Sequence, residues 1–486
     1  MDRRFALSAL SPAPRLSRRT ALRGTGAGVA GAALALTGQA ARAQDATPAG
    51  TPAAGTPAAG TPAAETPTDP VVASWPYVFQ YDEFQFQFLI ALGAVYERAA
   101  DVGELFAAAS QIADGDYDSW CATFSTLGDR VRAIAEVSEA AGNRVSAREA
   151  YLRASSYYAQ AAFFTLGTST PDQLLSVWEV HRDSFDRFAA LLDVPAEQVS
   201  IPYEGTTLPG YALTVDDSGQ PRPWLVMNNG SDGTVTDMWT QGAAAGLRRG
   251  WNVLIFDGPG QGAALYRQKL YFRPDWEAVL TPVVDWLVAR DDVDAEQLAV
   301  MGISQGGFWV PRALAFEHRF AAAIADPGVF DVSTSWTAQL PAGTMEEYLN
   351  APPDEQAQIA AGIDQGVEQY SAQDPTVRFT LTARMAPYGV TKLSELLLLV
   401  AKYTLSDVVG QIRTPVLVAD PEGESFWPGQ SAQLYNALPG PKELAPFTAA
   451  EGADLHGEPK ATGLRAQVFF DWLARTTGGE MATPTA

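Results

Sequence analysis

A serine between two glycines is the feature of this sequence that points most clearly to chemistry. The run Gly302-Ile303-Ser304-Gln305-Gly306 follows the apolar residues 298–301 and precedes a helical pattern. In that context the glycines permit a strained strand-to-helix turn, which exposes the serine hydroxyl. The helix N-terminus and the Gln305 backbone N–H then face the negative charge that develops on a substrate oxygen. We therefore predict that Ser304 is a nucleophile and Gln305 an oxyanion donor, the alternative being a structural turn.

A serine hydroxyl needs a base, which is nearly always histidine. The chain contains three histidines, His181, His318 and His456. His181 precedes the predicted sheet and is expected to pack between helices, whereas His318 closes the helix after Ser304 and is expected to meet helix-end carbonyls. His456 follows the last predicted strand, in a loop before the C-terminal helix. We predict that His456 is the base.

The acid that orients the histidine should lie just past the apolar run Pro415-Val416-Leu417-Val418-Ala419. The segment Asp420-Pro421-Glu422-Gly423-Glu424 offers three carboxylates within five residues. In the α/β-hydrolases, which the serine motif and its flanking strand and helix resemble, the acid precedes the histidine, and this order together with the strand register favours Glu424. Asp420 and Glu422 stay open as alternatives, and the carboxylates that are not used would form a solvated acidic turn.

A second oxyanion donor is expected in the loop after the third strand. The run Asn228-Asn229-Gly230-Ser231-Asp232-Gly233 contains glycines that let backbone N–H groups turn into a site. We predict that the Ser231 N–H is this donor, the alternative being a plain glycine turn.

These side chains must be positioned by a sheet. Short apolar runs separated by helical patterns are typical of a parallel sheet with helices on both faces. The first two runs, joined by a glycine-containing turn, predict an antiparallel hairpin at its edge. A helical insertion is expected over residues 331–412. The predicted strands are 199–203, 211–215, 224–228, 252–257, 298–302, 321–326 and 416–420.

The residues before the sheet, 78–194, are predicted to be helical. Ser146-Ala147-Arg148-Glu149 matches a capping box at a helix start, and Pro171-Asp172 opens a further helix. The pairs Tyr157-Tyr158 and Phe163-Phe164 could line a ligand pocket, although aromatic residues at helical spacing more often form core.

Composition narrows the classes of function. The 486 residues are 47% hydrophobic, with a net charge of −23 and a single cysteine, Cys121. Such an acidic chain is a poor partner for nucleic acid or anionic lipid, because both carry phosphates. One cysteine excludes an internal disulfide framework and a cysteine-cluster metal site. We expect a small-molecule substrate and neither metal nor cofactor; a homodimer stays open.

The first 43 residues resemble an export signal. A basic region containing Arg18-Arg19 precedes a weakly apolar run over 24–36, and Ala41-Arg42-Ala43 fits a cleavage site. The run around Arg18-Arg19 resembles the twin-arginine type. A five-residue Thr-Pro-Ala-Ala-Gly repeat then predicts a disordered linker over 44–76. We expect an exported protein (periplasmic, cell-envelope or extracellular) without a membrane-spanning helix, the alternative being a cytoplasmic protein with a basic N-terminus.

Three motifs together resemble one family. Asp257-Gly258-Pro259-Gly260-Gln261-Gly262, Gly302-Ile303-Ser304-Gln305-Gly306-Gly307 and Glu451-Gly452-Ala453-Asp454-Leu455-His456 are similar to the FrsA / 2,6-dihydroxypseudooxynicotine hydrolase group of α/β-hydrolases. The resemblance covers about residues 75–475. It implies an α/β-hydrolase fold with an N-terminal helical cap, a Ser-Asp-His triad between cap and core, and esterase or carbon–carbon hydrolase activity. Here Glu424 stands for the aspartate, and no motif places the additional carboxylate of the carbon–carbon hydrolases.

The expected organisation is an export signal (1–43), a linker (44–76), a helical cap (77–195), a hydrolase core in two parts (196–330 and 413–476) around the insertion, and a flexible tail (477–486). The expected function is cleavage of a carboxylic ester through an acyl-enzyme. A hydrolase of β-diketone-like substrates, a prolyl-oligopeptidase-type peptidase and an inactive binding protein are the alternatives. The peptidases of that type carry a β-rich N-terminal domain, whereas this one is predicted to be helical.

Overall fold

A computed structural model describes residues 78–338, 340 and 342–478. The predicted export signal and linker lie outside the described residues, as does the tail after residue 478. Within the described part of the chain, no helix combines the length and the apolar character that crossing a membrane would require.

The N-terminal region consists of helices, as the sequence pattern indicates. Asp101 and Asp116 cap two of them, because each side chain accepts backbone N–H groups of the first turn. The helices are α1 (Asp82–Gly93), α2 (Val102–Ala109), α3 (Tyr117–Ala140), α4 (Arg144–Phe164) and α5 (Leu174–Ala190), and a 3₁₀ turn over Pro171–Gln173 leads into α5.

The predicted capping box at Ser146 is wrong. Helix α4 begins at Arg144, so Ser146 already lies inside its first turn, and Asn143 precedes the helix without a side-chain cap. The reason lies in Gly142, whose φ of +77° places it in the left-handed region. This glycine ends α3 and lets the chain enter α4 after only three residues.

Eight strands form one mostly parallel sheet, which confirms the predicted fold class. The order is β1-β2-β4-β3-β5-β6-β7-β8, and the pairs β1–β2 and β2–β4 are antiparallel, as expected for an edge hairpin. All seven predicted strands are present, and β8 is the additional one. The strands are β1 (Ala196–Tyr203), β2 (Thr206–Leu213), β3 (Arg222–Asn228), β4 (Asn252–Phe256), β5 (Val293–Ile303), β6 (Ala322–Asp326), β7 (Val416–Pro421) and β8 (Lys442–Phe447).

Helices cover both faces of the sheet. One face shares a continuous apolar cluster with the N-terminal helices, and the other packs against the helices after β4 and β5 and against the insertion. The core helices are α6 (Val235–Met238), α7 (Ala244–Leu247, joined to α6 by a π turn), α8 (Gly262–Tyr266), α9 (Glu277–Val288), α10 (Gly306–Leu314), α16 (Gln430–Ala437) and α17 (Thr462–Thr477).

The helical insertion leaves and rejoins the core at one place. A β-bridge pairs Asp331 with Thr404, and Val332 N–H donates to Tyr403 O at 2.9 Å. The insertion contains α11 (Ser333–Thr337), α12 (Thr344–Asn350), α13 (Pro353–Ser371), α14 (Pro375–Met385) and α15 (Leu393–Val400). Because the parallel strands end at the same edge, the loops after β3, β5 and β7 meet there.

Candidate active site

Ser304 occupies a sharp turn between β5 and α10. Its φ is +56°, a left-handed conformation that is rare for a residue with a side chain. Its N–H donates to Asp326 O at 2.6 Å, which holds the turn against β6. A Cβ on Gly302 would lie 2.2 Å from Gly306 O, so only glycine allows this close approach. The turn therefore has the geometry predicted for a nucleophilic serine.

His456 lies between Ser304 and Glu424. Its Nε2 is 2.9 Å from Ser304 Oγ, and its Nδ1 is 2.7 Å from Glu424 Oε2. Glu424 Oε1 accepts the N–H groups of Phe426 at 2.7 Å and Trp427 at 3.0 Å. Both oxygens of this carboxylate are therefore engaged, and one of them holds the imidazole with the other nitrogen toward the serine hydroxyl.

The negative charge of Glu424 and a positive charge on His456 stabilise each other. Burial by itself would raise the pKa of Glu424, but the nearby His456 and the hydrogen bonds to the carboxylate outweigh burial and hold that pKa below its usual value. Burial likewise opposes a charged His456, yet the Glu424 carboxylate raises the pKa of the imidazole above its usual value. The imidazolium that would form during catalysis is thus stabilised in place.

The other two carboxylates of the loop lie elsewhere. Glu422 is exposed, and its Oε2 accepts the Ala449 N–H at 2.9 Å. Asp420 is half-buried at the end of β7, where burial and then the Glu424 charge raise its pKa. Within the described part of the chain, the ring of His456 is in hydrogen-bond contact with Ser304 and Glu424 alone.

The two predicted oxyanion donors lie next to the serine. Gln305 immediately precedes α10, and a Cβ on Gly230 would come within 2.7 Å of Ser304 Cβ, so the loop that contains Ser231 packs on Ser304. The Gly230 N–H donates to Asn229 Oδ1 at 2.7 Å. The Gln305 and Ser231 N–H groups donate to no described residue.

The remaining histidines are away from this cluster. His181 is buried, its Nδ1 is 2.8 Å from Ser155 O, and burial lowers its pKa to about 4, in agreement with a packing role. His318 is exposed, and its ring bonds to none of the residues that the structure describes, so the expected contact with helix-end carbonyls is absent. The reason is that α10 already ends at Leu314.

Aromatic side chains that the sequence analysis did not assign lie beside His456. The Phe426 ring lies 4.6 Å from the His456 ring, and Trp427 lies 5.9 Å from it. Phe86 of α1 packs on Phe426 at 6.0 Å, and the Arg384 guanidinium of α14 lies 5.3 Å from the same ring. The N-terminal helices and the insertion therefore both reach the vicinity of His456.

The aromatic pairs of α4 belong mainly to the core. Tyr157, Tyr158 and Phe164 are buried, while Phe163 is partly buried beside them. The Tyr157 hydroxyl donates to Glu104 at 2.7 Å and the Tyr158 hydroxyl to Asp129 at 2.6 Å. These contacts satisfy both hydroxyls within the helices, which favours the core interpretation over a pocket.

Comparisons with known proteins give the class. Residues 249–366, which include the Ser304 turn, match the model of the prolyl oligopeptidase family. Hydrolase LUC6 from Fusarium sp is 31% identical over 415 residues, covering 81% of this chain and 96% of that protein. The 20-hydroxy-prefusarin hydrolase FUS2 from Gibberella moniliformis (strain M3125 / FGSC 7600) is 34% identical over 281 residues, covering 56% of this chain and 67% of that protein.

The solved structure of a 2,6-dihydroxy-pseudo-oxynicotine hydrolase has the same fold. It superposes with a TM-score of 0.61 at 21% identity, covering 81% of this chain and 98% of that chain. This chain therefore belongs to the α/β-hydrolase family of Hydrolase LUC6, and it is an α/β-hydrolase enzyme. The resemblance drawn from the three motifs is confirmed.

Proposed function

We propose that the enzyme is a serine hydrolase that cleaves a carboxylic ester of a small molecule. The observation that carries the proposal is the chain of two hydrogen-bond contacts from Glu424 through His456 to Ser304, at 2.7 and 2.9 Å. The backbone N–H groups of Gln305 and Ser231, which have no partner among the described residues, support acyl transfer, because they would bind an oxyanion beside Ser304.

The proposed reaction proceeds in two halves. Ser304 Oγ attacks the ester carbonyl while His456 Nε2 takes the hydroxyl proton, and the oxyanion binds the Gln305 and Ser231 N–H groups. His456 then returns the proton to the leaving alkoxide, and an acyl-enzyme remains. Water attacks this acyl group with His456 again acting as base, which releases the acid and restores Ser304. Glu424 holds the imidazole in the required tautomer throughout.

We also propose that the N-terminal helices and the insertion form the substrate pocket. The contacts of Phe86 and Arg384 with Phe426, itself beside His456, support this arrangement. Apolar walls at this edge would exclude water from the acyl-enzyme and select the acyl or aryl group. Export through the twin-arginine route is part of the proposal, and it is tested by cell fractionation after replacing Arg18 and Arg19 with lysine.

Fluorophosphonate labelling tests the chemistry. The wild type should be labelled on Ser304, and Ser304→Ala should lose the label and at least about 10⁴-fold in kcat, since covalent catalysis is removed. Ser406→Ala, at an exposed serine, is the matched control and should behave as wild type. A screen of p-nitrophenyl esters, β-diketones and peptide p-nitroanilides identifies the bond that is cleaved. Label on another serine, or normal turnover by Ser304→Ala, would contradict the proposal.

A further inference from the structure

The hexapeptide Asp257-Gly258-Pro259-Gly260-Gln261-Gly262 holds none of the proposed catalytic groups, yet it contacts the oxyanion loop. Gln261 is 3% exposed, and its side chain makes three hydrogen bonds. Its Oε1 accepts the Gly258 N–H at 2.9 Å. Its Nε2 donates to Asn229 O and to Gly230 O, each at 2.9 Å. All its polar atoms are thus used to join two loops.

The bond to Gly230 O determines the direction of a proposed donor. The Gly230 carbonyl and the Ser231 N–H belong to one peptide unit, and in a planar trans peptide these two groups point in opposite directions. Because the carbonyl is turned toward Gln261, the Ser231 N–H is turned away from Gln261. Gly230 itself packs on Ser304, so this N–H stands free beside the nucleophile.

Gln261 is the sole described partner of the Gly230 carbonyl. Asn229 O, by contrast, has a second donor, since Asn228 Nδ2 lies 3.0 Å from it. Loss of the Gln261 amide would therefore leave one carbonyl of the loop without a hydrogen bond, and the Gly230–Ser231 peptide could rotate to find another donor. A glycine on one side of this peptide makes such a rotation easy.

The turn that carries Gln261 is closed by a hydrogen bond and tightly packed. Gln261 N–H donates to Gly258 O at 2.9 Å, which closes the turn. Gly260 has a φ of +82°, and a Cβ there would lie 2.0 Å from the Phe272 ring. A Cβ on Gly262 would lie 2.4 Å from the Asp257 carboxylate. The glycines of the hexapeptide thus allow the close packing that aims the Gln261 side chain.

We propose that Gln261 is a positioning residue of the oxyanion hole, which it completes by holding the Gly230–Ser231 peptide with its N–H toward the substrate oxygen. The inference rests on the proposed function, because it needs Ser304 as the nucleophile and Ser231 as a donor. Gln261 itself touches no reacting atom.

Gln261→Met tests the inference, since methionine keeps the volume and removes the amide. We expect kcat to fall about 10- to 100-fold with KM within about twofold, because an oxyanion donor acts mainly in the transition state. Affinity for a trifluoromethyl ketone, which forms a tetrahedral oxyanion on Ser304, should fall by a similar factor. Gln261→Leu, which removes both the donor and the acceptor, should lose kcat as well.

Asn252→Leu is the matched control. Asn252 is equally buried, and its Oδ1 likewise accepts a backbone N–H, that of Val215 at 2.9 Å, but it lies at the start of β4, the end of the strand opposite the Ser304 turn. Both Gln261→Met and Asn252→Leu should lose thermal stability, but Asn252→Leu should keep kcat and the ketone affinity. Equal kcat in wild type and Gln261→Met would overturn the inference while Ser304 labelling of the wild type still stood. An unlabelled Ser304 would instead overturn the proposed function and the inference with it.

Discussion

Replacing the Glu424 carboxylate by an amide should reverse the tautomer of the base. In Glu424→Gln the side-chain oxygen would keep accepting the Phe426 and Trp427 N–H groups, so the new NH₂ group would face His456 Nδ1. Nδ1 must then accept, and the ring proton moves to Nε2, which points at Ser304 Oγ. A protonated Nε2 cannot take the serine proton.

The expected loss is about 10⁴-fold in kcat, or ~5.5 kcal/mol of transition-state stabilisation, the size known when the acid of such a triad becomes an amide. Asp420→Asn and Glu422→Gln are the matched controls, since neither carboxylate bonds to the imidazole, and each should stay within a few fold of wild type. The assay is kcat and kcat/KM on the best ester of the screen, with circular dichroism to show that each variant is folded.

The pH profile gives a second readout of the same change. The Glu424 carboxylate raises the pKa of His456 above 6.5, and catalysis needs the neutral imidazole, so wild-type kcat/KM should rise through a midpoint above pH 6.5. Without that carboxylate, burial remains and lowers the pKa, so the midpoint of Glu424→Gln should move to lower pH. A crippled Asp420→Asn beside a nearly normal Glu424→Gln would refute this reasoning, as would an unshifted midpoint.

Two further outcomes follow from contacts outside the triad. Glu458 is buried against Asp326, and burial raises the pKa of Glu458 well above 4.5, so the folded protein holds a proton that the unfolded chain releases. The stability of the protein should therefore fall as pH rises above about 4.5, and Glu458→Gln should make this fall less steep in thermal unfolding scans. An unchanged pH dependence in Glu458→Gln would contradict this prediction. Deleting residues 44–76 should leave kcat/KM unchanged. Deleting residues 44–194 should give an insoluble or inactive core, because Tyr211 and Trp239 lose the helices that cover them. A soluble 195–486 fragment with unchanged kcat/KM would exclude a role for the helices in the site.

The strands were predictable from the sequence where both faces are buried. Strands β3, β4 and β6 each contain a continuous apolar run, because side chains on both sides of the sheet meet helices. Strand β8 was not predicted, since it is an edge strand in which exposed Glu443 and Pro446 interrupt the apolar pattern. Its absence from the prediction left the candidate base unaffected, because His456 follows β8 as it follows β7.

The candidate site was predictable to the extent that strand ends determine it. Ser304, Ser231 and Glu424 each follow a strand of the parallel sheet, so the strand pattern alone brings them to one edge. The choice among Asp420, Glu422 and Glu424 depended on the number of residues between the end of β7 and the acid. The register of the strand favoured Glu424. The hydrogen bonds that orient the loops, such as that of Gln261 to Gly230, join residues that no sequence motif or spacing connects. These bonds could be identified only from the structure.

The hexapeptide after β4, residues 257–262, contacts both the N-terminal helices and the loop that contains Gly230. The Asp257 carboxylate accepts a hydrogen bond from Arg182 of α5 at 2.7 Å, and both side chains are at least nine-tenths buried. Four residues later, Gln261 holds the oxyanion loop. A buried ion pair that loses one partner leaves an uncompensated charge, so Arg182 and Asp257 keep α5 docked on this turn. The N-terminal helices are thereby tied to the same turn that contacts Gly230, which supports the proposal that they act with the core as one unit.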